Sequence, residues 1–204
     1  MDNRCLRKIP PIKKFIPAAA LTTCFLVGLL LLSSNGALKT AKAADGKNKM
    51  QSTKADFKEF CQMMQGRWIG EVIWITDWPG YGKKGDKVTG YEEWTIGEGG
   101  QVLQGRFYGG PGSSTGLMHY DAGARQIQGR WVSSGGNVWN QVIYKKDGKW
   151  HIEVTGSIAD GKSLTGSGIR HISDDGKTHR LTGTLKIDGK ELDPLRDVWR
   201  RIGD

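Results

Sequence analysis

Four Asp-Gly pairs, Asp147-Gly148, Asp160-Gly161, Asp175-Gly176 and Asp188-Gly189, fall 13, 15 and 13 residues apart, each between runs of strand-forming residues. Asp-Gly supplies the positive φ angles that tight hairpin turns require, so this spacing describes an antiparallel meander. Earlier punctuation comes from "GEGG" (97–100), "GGPGSS" (109–114), "DAGA" (121–124) and "SSGG" (133–136). Strands are therefore predicted at 67–76, 87–96, 101–108, 115–120, 125–132, 137–146, 149–158, 163–173, 177–187 and 194–202. Hairpins throughout, with no long crossover, predict an all-β fold: an antiparallel up-and-down barrel of about ten strands, closed so that no edge is unpaired. A two-sheet sandwich is the alternative.

One segment breaks the period of two. Phe57, Phe60, Cys61 and Met64 recur at helical spacing, Ser52 or Thr53 can cap, and Gly66 stops the run, so "STKADFKEFCQMMQ" (52–65) reads as one amphipathic helix. The barrel domain then spans 52–204, after a polar linker at 44–51.

Residues 1–43 read as an export signal. Arg4, Arg7, Lys8, Lys13 and Lys14 form a basic head, Phe15 to Leu32 is apolar, and Ala41-Lys42-Ala43 gives a small-residue cleavage pattern. Two other fates compete with cleavage: retention as an anchor, against which Pro17, Thr22, Thr23 and Gly28 weigh, and acylation at Cys24, which sits in mid-run. Removing the leader takes seven of the 30 Lys and Arg but one of the 21 Asp and Glu, leaving 23 against 20. So small a surplus, with no basic run, predicts no nucleic-acid binding and, once the leader is cleaved, no stable membrane insertion. Cys61 is then the lone cysteine, expected as a small buried apolar residue, and no disulfide supports the fold.

The stretch "WPGYGKKGDK" (78–87) contains G-x-G-x-x-G before a lysine, the spelling of a phosphate cradle. A cradle needs a helix N-terminus after its glycines, and no helical pattern follows Gly85, so the segment is expected as a long, bendable loop at a barrel mouth with Lys83 and Lys84 solvated. His119, His151, His171 and His179 lack metal-ligand spacing, and no nucleophile arrangement stands out; neither a metal nor a cofactor is expected.

Alternation assigns the interior. Residues two apart share a strand face, so an inward Trp68 brings Gly70, Val72 and Trp74 with it. The same rule groups Glu92 with Trp94, Phe107 with Leu103, Tyr120 with Met118, Trp131 with Ile127, and Tyr144 with Val142. Trp74, Glu92, Trp94, Phe107, Tyr120, Trp131 and Tyr144 are the expected ligand-binding residues, with Glu92, Tyr120 and Tyr144 as polar anchors among aromatic walls.

"MMQGRWIGEV", "EEWTIGEGGQVLQGRFYGG", "LMHYDAGARQIQGRW" and a closing "DVWRR" appear in an order that resembles a lipocalin-like bacterial family of unknown function, over roughly residues 55–202. The resemblance implies that Trp68 plugs the closed end of the barrel under an arginine from the last strand, Arg200 first and Arg201 second. The chain is also similar to nitrobindin-type barrels, although Val72 stands where their third glycine would be. That similarity implies a haem held by a late histidine, His171 or His179, and chemistry on nitric oxide or peroxynitrite.

These observations lead to an exported, non-enzymatic barrel that binds a small apolar or amphipathic molecule. The alternatives are the haem protein, a barrel with a filled interior serving as an interaction surface, and a small hydrolase or isomerase using Glu92 or a histidine.

Overall fold

Thr53 opens the first element. Its hydroxyl accepts the Asp56 amide at 3.1 Å while the Asp56 carboxylate accepts the Thr53 amide at 2.7 Å, a capping box that satisfies two free N–H groups and starts helix α1 (Lys54–Met64). The computed structural model describes residues 50–204. Residues 1–43, expected as an export signal, and the expected linker up to residue 49 lie outside the described residues, as do Cys5 and Cys24.

Helix α1 buries Phe57, Phe60, Cys61 and Met64, the apolar positions of its sequence pattern. Burial pushes the Cys61 thiol up to about 12, so it packs as an inert apolar group. The strands follow as β1 (Gly66–Ile73), β2 (Lys87–Gly97), β3 (Val102–Gly109), β4 (Gly112–Asp121), β5 (Gln126–Ser133), β6 (Val138–Lys146), β7 (Lys149–Ser157), β8 (Ser163–Ile172), β9 (Thr178–Ile187), β10 (Lys190–Glu191) and β11 (Leu195–Gly203). Each of β1 to β9 pairs antiparallel with the next, and β11 joins β9 to β1. Ten full strands thus close a barrel, which excludes the sandwich.

The short β10 was not expected. It pairs with β9 through Lys190↔Ile187, and β11 resumes on the same side of β9 at Leu195↔Gly183. The two pieces are one strand path interrupted at Leu192-Asp193-Pro194, where Pro194 has no N–H to give the ladder.

The Asp-Gly turns divide into two kinds. At Asp147-Gly148 and Asp188-Gly189 both residues have positive φ (51° and 71°, 47° and 77°), as a two-residue hairpin turn demands. At Asp160-Gly161 and Asp175-Gly176 the glycine alone does, closing longer loops.

The two ends of the barrel are covered differently. Helix α1 lies over one end: the Ser52 hydroxyl donates to the Ile143 carbonyl at 2.8 Å, and Lys145 pairs with Glu59 at 2.6 Å. Trp68 is fully buried there and donates its indole N–H to the Met64 carbonyl at 2.9 Å. The cover is Arg201, whose guanidinium stands 4.2 Å from the Trp68 ring centre and donates to the Met63 carbonyl at 2.8 Å and the Gly176 carbonyl at 2.9 Å. Arg200, the first expectation, is exposed, because alternation along β11 turns Arg201 inward with Trp199.

Candidate functional site

The opposite end is covered by the β1–β2 loop, residues 74–86. This is the "WPGYGKKGDK" segment; no helix follows Gly85, and β2 begins at Lys87. The expected bendable loop is instead tied down. Trp78 bridges to Gly82, and both Trp78 and Tyr81 are buried. The Asn137 amide donates to the Pro79 carbonyl at 3.0 Å, while its oxygen accepts the Ala159 amide at 3.2 Å. Asn137 thereby stitches the loop to two turns at the same rim. Gly135 permits the approach, since a Cβ there would overlap the Pro79 carbonyl. Lys83 and Lys84 are exposed and pair with Asp77 and Asp193 at 3.2 and 2.7 Å.

Between the helix and this loop lies a cavity of about 220 Å³. Five of the seven residues assigned by alternation border it: Trp74, Glu92, Trp94, Phe107 and Trp131. Their rings touch at edges, with Trp94 and Trp131 centres 5.2 Å apart and Trp74 and Phe107 centres 6.2 Å apart. Gly105 and Gly116 give the indole of Trp131 its place, because a Cβ on either would run into that ring.

Tyr120 and Tyr144 do not border the cavity. Tyr120 does share the inward face of β4 with Met118, but it sits near the β4–β5 turn, beyond Met118, half-buried against the core. Tyr144 faces outward. Strand β6 carries apolar residues on both faces, and Gln141 and Ile143, rather than Val142 and Tyr144, point inward. The Tyr144 hydroxyl donates to Glu153 at 3.3 Å, and its ring stacks on His151.

Glu92 anchors a buried polar cluster. Its Oε2 accepts the Trp94 indole N–H at 2.9 Å and lies 3.4 Å from His179 Nε2 and 3.8 Å from Arg170 Nη1. Burial alone would raise the Glu92 carboxyl, but the His179 hydrogen bond, the Arg170 charge and the Trp94 N–H outweigh it and hold it below its ordinary range. Burial, and then the charge of Arg170, push His179 down to about 4, so at neutral pH its imidazole is uncharged. The consistent tautomer carries the proton on Nε2, donating to Glu92, and leaves Nδ1 to accept from Arg170 Nη1 at 3.3 Å. His179 also stacks on Trp199, its partner across the β9–β11 ladder. Asp197 lines the cavity on β11, and burial together with the Glu92 charge pushes it up to about 7.

Arg170 and Asp197 were not among the expected site residues, and His179 was named only as a haem ligand, yet alternation could have placed all three inside. Arg170 shares parity with Leu164 and Ile172, His179 with Leu181 and Leu185, and Asp197 with Leu195 and Trp199. Arg170 and His179 each stand in an otherwise apolar row, and Asp197 shares its row with Leu195, Trp199 and the inward Arg201, the pattern by which a functional interior departs from simple packing.

Five buried side-chain atoms among the described residues have no hydrogen-bond partner: the indole nitrogens of Trp74, Trp131 and Trp199, Arg170 Nε and Gln141 Oε1. All five belong to residues that line the cavity.

A haem does not fit this arrangement. His171 is exposed on the outer face of β8. His179 has no exposed surface, and both its nitrogens are engaged by Glu92 and Arg170. The cavity is also smaller than the ~300–1,000 Å³ of sites that hold drug-sized ligands, which are themselves smaller than a haem. Comparison with models of protein families and with curated proteins gave no match for this chain.

Proposed function

We propose that this chain is an exported barrel that binds one small apolar or amphipathic molecule in its interior. Export rests on the basic head, apolar run and Ala41-Lys42-Ala43 pattern of the sequence. The binding reading rests on one observation above others: a single interior cavity is walled by the aromatic rings of Trp74, Trp94, Phe107 and Trp131 and has the Glu92, Arg170 and Asp197 side chains in the same lining. Aromatic walls with a few polar anchors are the usual composition of small-molecule sites. The volume of about 220 Å³ restricts the guest to a compact molecule.

Titration with a small apolar dye, read through tryptophan fluorescence, tests this. The expected result is saturable quenching with one site per chain, weakened several-fold by Trp94→Ala or Trp131→Ala. Quenching that never saturates, or that both variants leave unchanged, would return the barrel to the interaction-surface alternative.

A further inference from the structure

Three charged side chains line the cavity: Glu92, Arg170 and Asp197. Two of them answer one another. Arg170 Nη1 stands 3.8 Å from Glu92 Oε2, and that oxygen also accepts the Trp94 indole N–H. Asp197 has no such partner. Alternation along β11 turns it inward with Leu195 and Trp199, which line the same cavity, while Arg196, Val198 and Arg200 are exposed. Across the ladder it faces Leu181, another lining residue. Among the described residues no group hydrogen-bonds its carboxyl, and no cation stands within ion-pair distance of it. The charges that reach it are those of Glu92 and, more weakly, Arg170, which places the carboxyl on the interior side.

Charge then selects the guest. With Glu92 and Arg170 matched and His179 uncharged, an ionised Asp197 leaves the interior with one negative charge in excess. An anionic guest would meet two carboxylates against one guanidinium that is already engaged. A neutral guest would leave the buried carboxylate uncompensated. An ammonium group supplies both the missing charge and the missing donor, in a charge-assisted hydrogen bond. The walls suit its bearer, because aromatic rings attract cations as well as hydrocarbon, and the Trp94 ring already has the Arg170 guanidinium 5.9 Å from its centre.

Resting on the interior-binding reading above, we infer that the guest is a compact amphipathic amine, its ammonium group held by the Asp197 carboxylate and its hydrocarbon body by the aromatic and leucine walls. Binding of the cation would also draw the proton from Asp197, whose carboxyl burial and the Glu92 charge push up to about 7.

Four probes on one framework test the inference: benzylamine, benzyl alcohol, ethylbenzene and benzoate, with affinities measured by displacement of the bound dye from the purified protein. The series is run at about pH 8, where Asp197 is ionised and benzylamine is still a cation. An ammonium moved from water into an apolar cavity without a counter-charge loses more than its hydrocarbon body gains, so only a paired site can favour it. Benzylamine is therefore expected to bind most tightly of the four, and benzoate most weakly. Benzylamine binding no more tightly than ethylbenzene or benzyl alcohol would overturn the amine inference and leave interior binding standing. Failure of all four to displace the dye would overturn both readings. Asp197→Asn should cost benzylamine about tenfold or more and ethylbenzene less than about threefold, the difference being one charge-assisted bond. A loss no greater for benzylamine than for ethylbenzene would overturn the role of Asp197. The wild type supplies a check that needs no variant. Between about pH 8 and pH 6 its affinity for benzylamine should fall roughly tenfold as Asp197 takes up its proton, while that for ethylbenzene does not fall. The groups facing Asp197 from the other elements, Glu92 on β2, Arg170 on β8, His179 on β9 and Tyr81 of the β1–β2 loop, do not change charge in that window. A benzylamine affinity that stays constant toward pH 6 would overturn the inference.

Discussion

His179 Nε2 lies 3.4 Å from Glu92 Oε2 inside the barrel, with Arg170 Nη1 3.3 Å from the other ring nitrogen. This neutral imidazole and the nearby Asp197 carboxyl oppose one another in the dependence of stability on pH. His179 titrates at about 4 when folded, against an ordinary 6.5, so between these values the unfolded chain binds the additional proton and stability rises with pH. Asp197 titrates at about 7 when folded, against an ordinary 3.8, so over nearly the same window the folded chain holds the additional proton and stability falls with pH. Each slope is at most about 1.4 kcal/mol per pH unit, and together they nearly cancel. Glu92 adds stability that is present above its ordinary value of 4.5 and is lost as pH falls from there through its lower folded value. Urea denaturation of Asp197→Asn should show stability climbing between about pH 4 and 6.5 where the wild type is nearly flat. Parallel curves for the two proteins would contradict this.

Arg201 and Arg200 are adjacent in sequence and opposite in consequence. Arg201 stacks on Trp68 and donates to carbonyls of Met63, Gln65 and Gly176, tying α1 and the β8–β9 turn to β11. Arg201→Ala should cost about 2 kcal/mol or more, since it leaves several partly buried carbonyls without a charged donor. Arg200→Ala, at an exposed position, should stay within about 0.5 kcal/mol of wild type. Chemical denaturation of both variants compares them directly.

Trp68 fills the helix-covered end with no exposed surface. Trp68→Ala should cost about 3–5 kcal/mol, a large part of an ordinary domain's stability. Melting within a few degrees of wild type would show that this end of the barrel does not depend on the plug.

The loop over the other end depends on Asn137 and Gly135. Asn137→Ala removes the bonds to Pro79 and Ala159, and Gly135→Val places side-chain atoms where the Pro79 carbonyl lies. Both should speed hydrogen exchange of the Trp78, Tyr81 and Gly82 amides, which bond to carbonyls within the loop, and leave Trp68 buried. Unchanged exchange at those three amides would show that the loop is held by its own packing.

Much of the barrel was legible because turn chemistry and alternation are local signals. Asp147-Gly148 marked its hairpin, and "KADFKEFCQMM" its helix, without knowledge of anything distant. The misses share a different cause. Tyr144 was assigned inward because Val142 and Ile143 make both faces of β6 apolar, and only the closed barrel decides between them. Arg201 takes the place of Arg200 because alternation puts it on the face of Trp199, a local signal, and because the β1–β11 register sets it opposite Trp68, which no local signal carries. The polar cluster draws Glu92, Arg170, His179 and Asp197 from four strands, far apart in sequence. The loop of residues 74–86 showed its glycines, but not that Pro79 and Asn137 would meet across 58 positions.

Heteronuclear NMR of the tryptophan indole N–H groups during titration with a small apolar probe such as ethylbenzene tests the central claim most directly. Bound ethylbenzene should shift the Trp131 and Trp199 indole signals saturably, because both rings line the cavity, while Trp68, bonded to the Met64 carbonyl beneath the helix and outside the lining, stays in place. A titration in which no indole signal moves, or in which Trp68 moves as far as Trp131 and Trp199, would contradict an interior binding site.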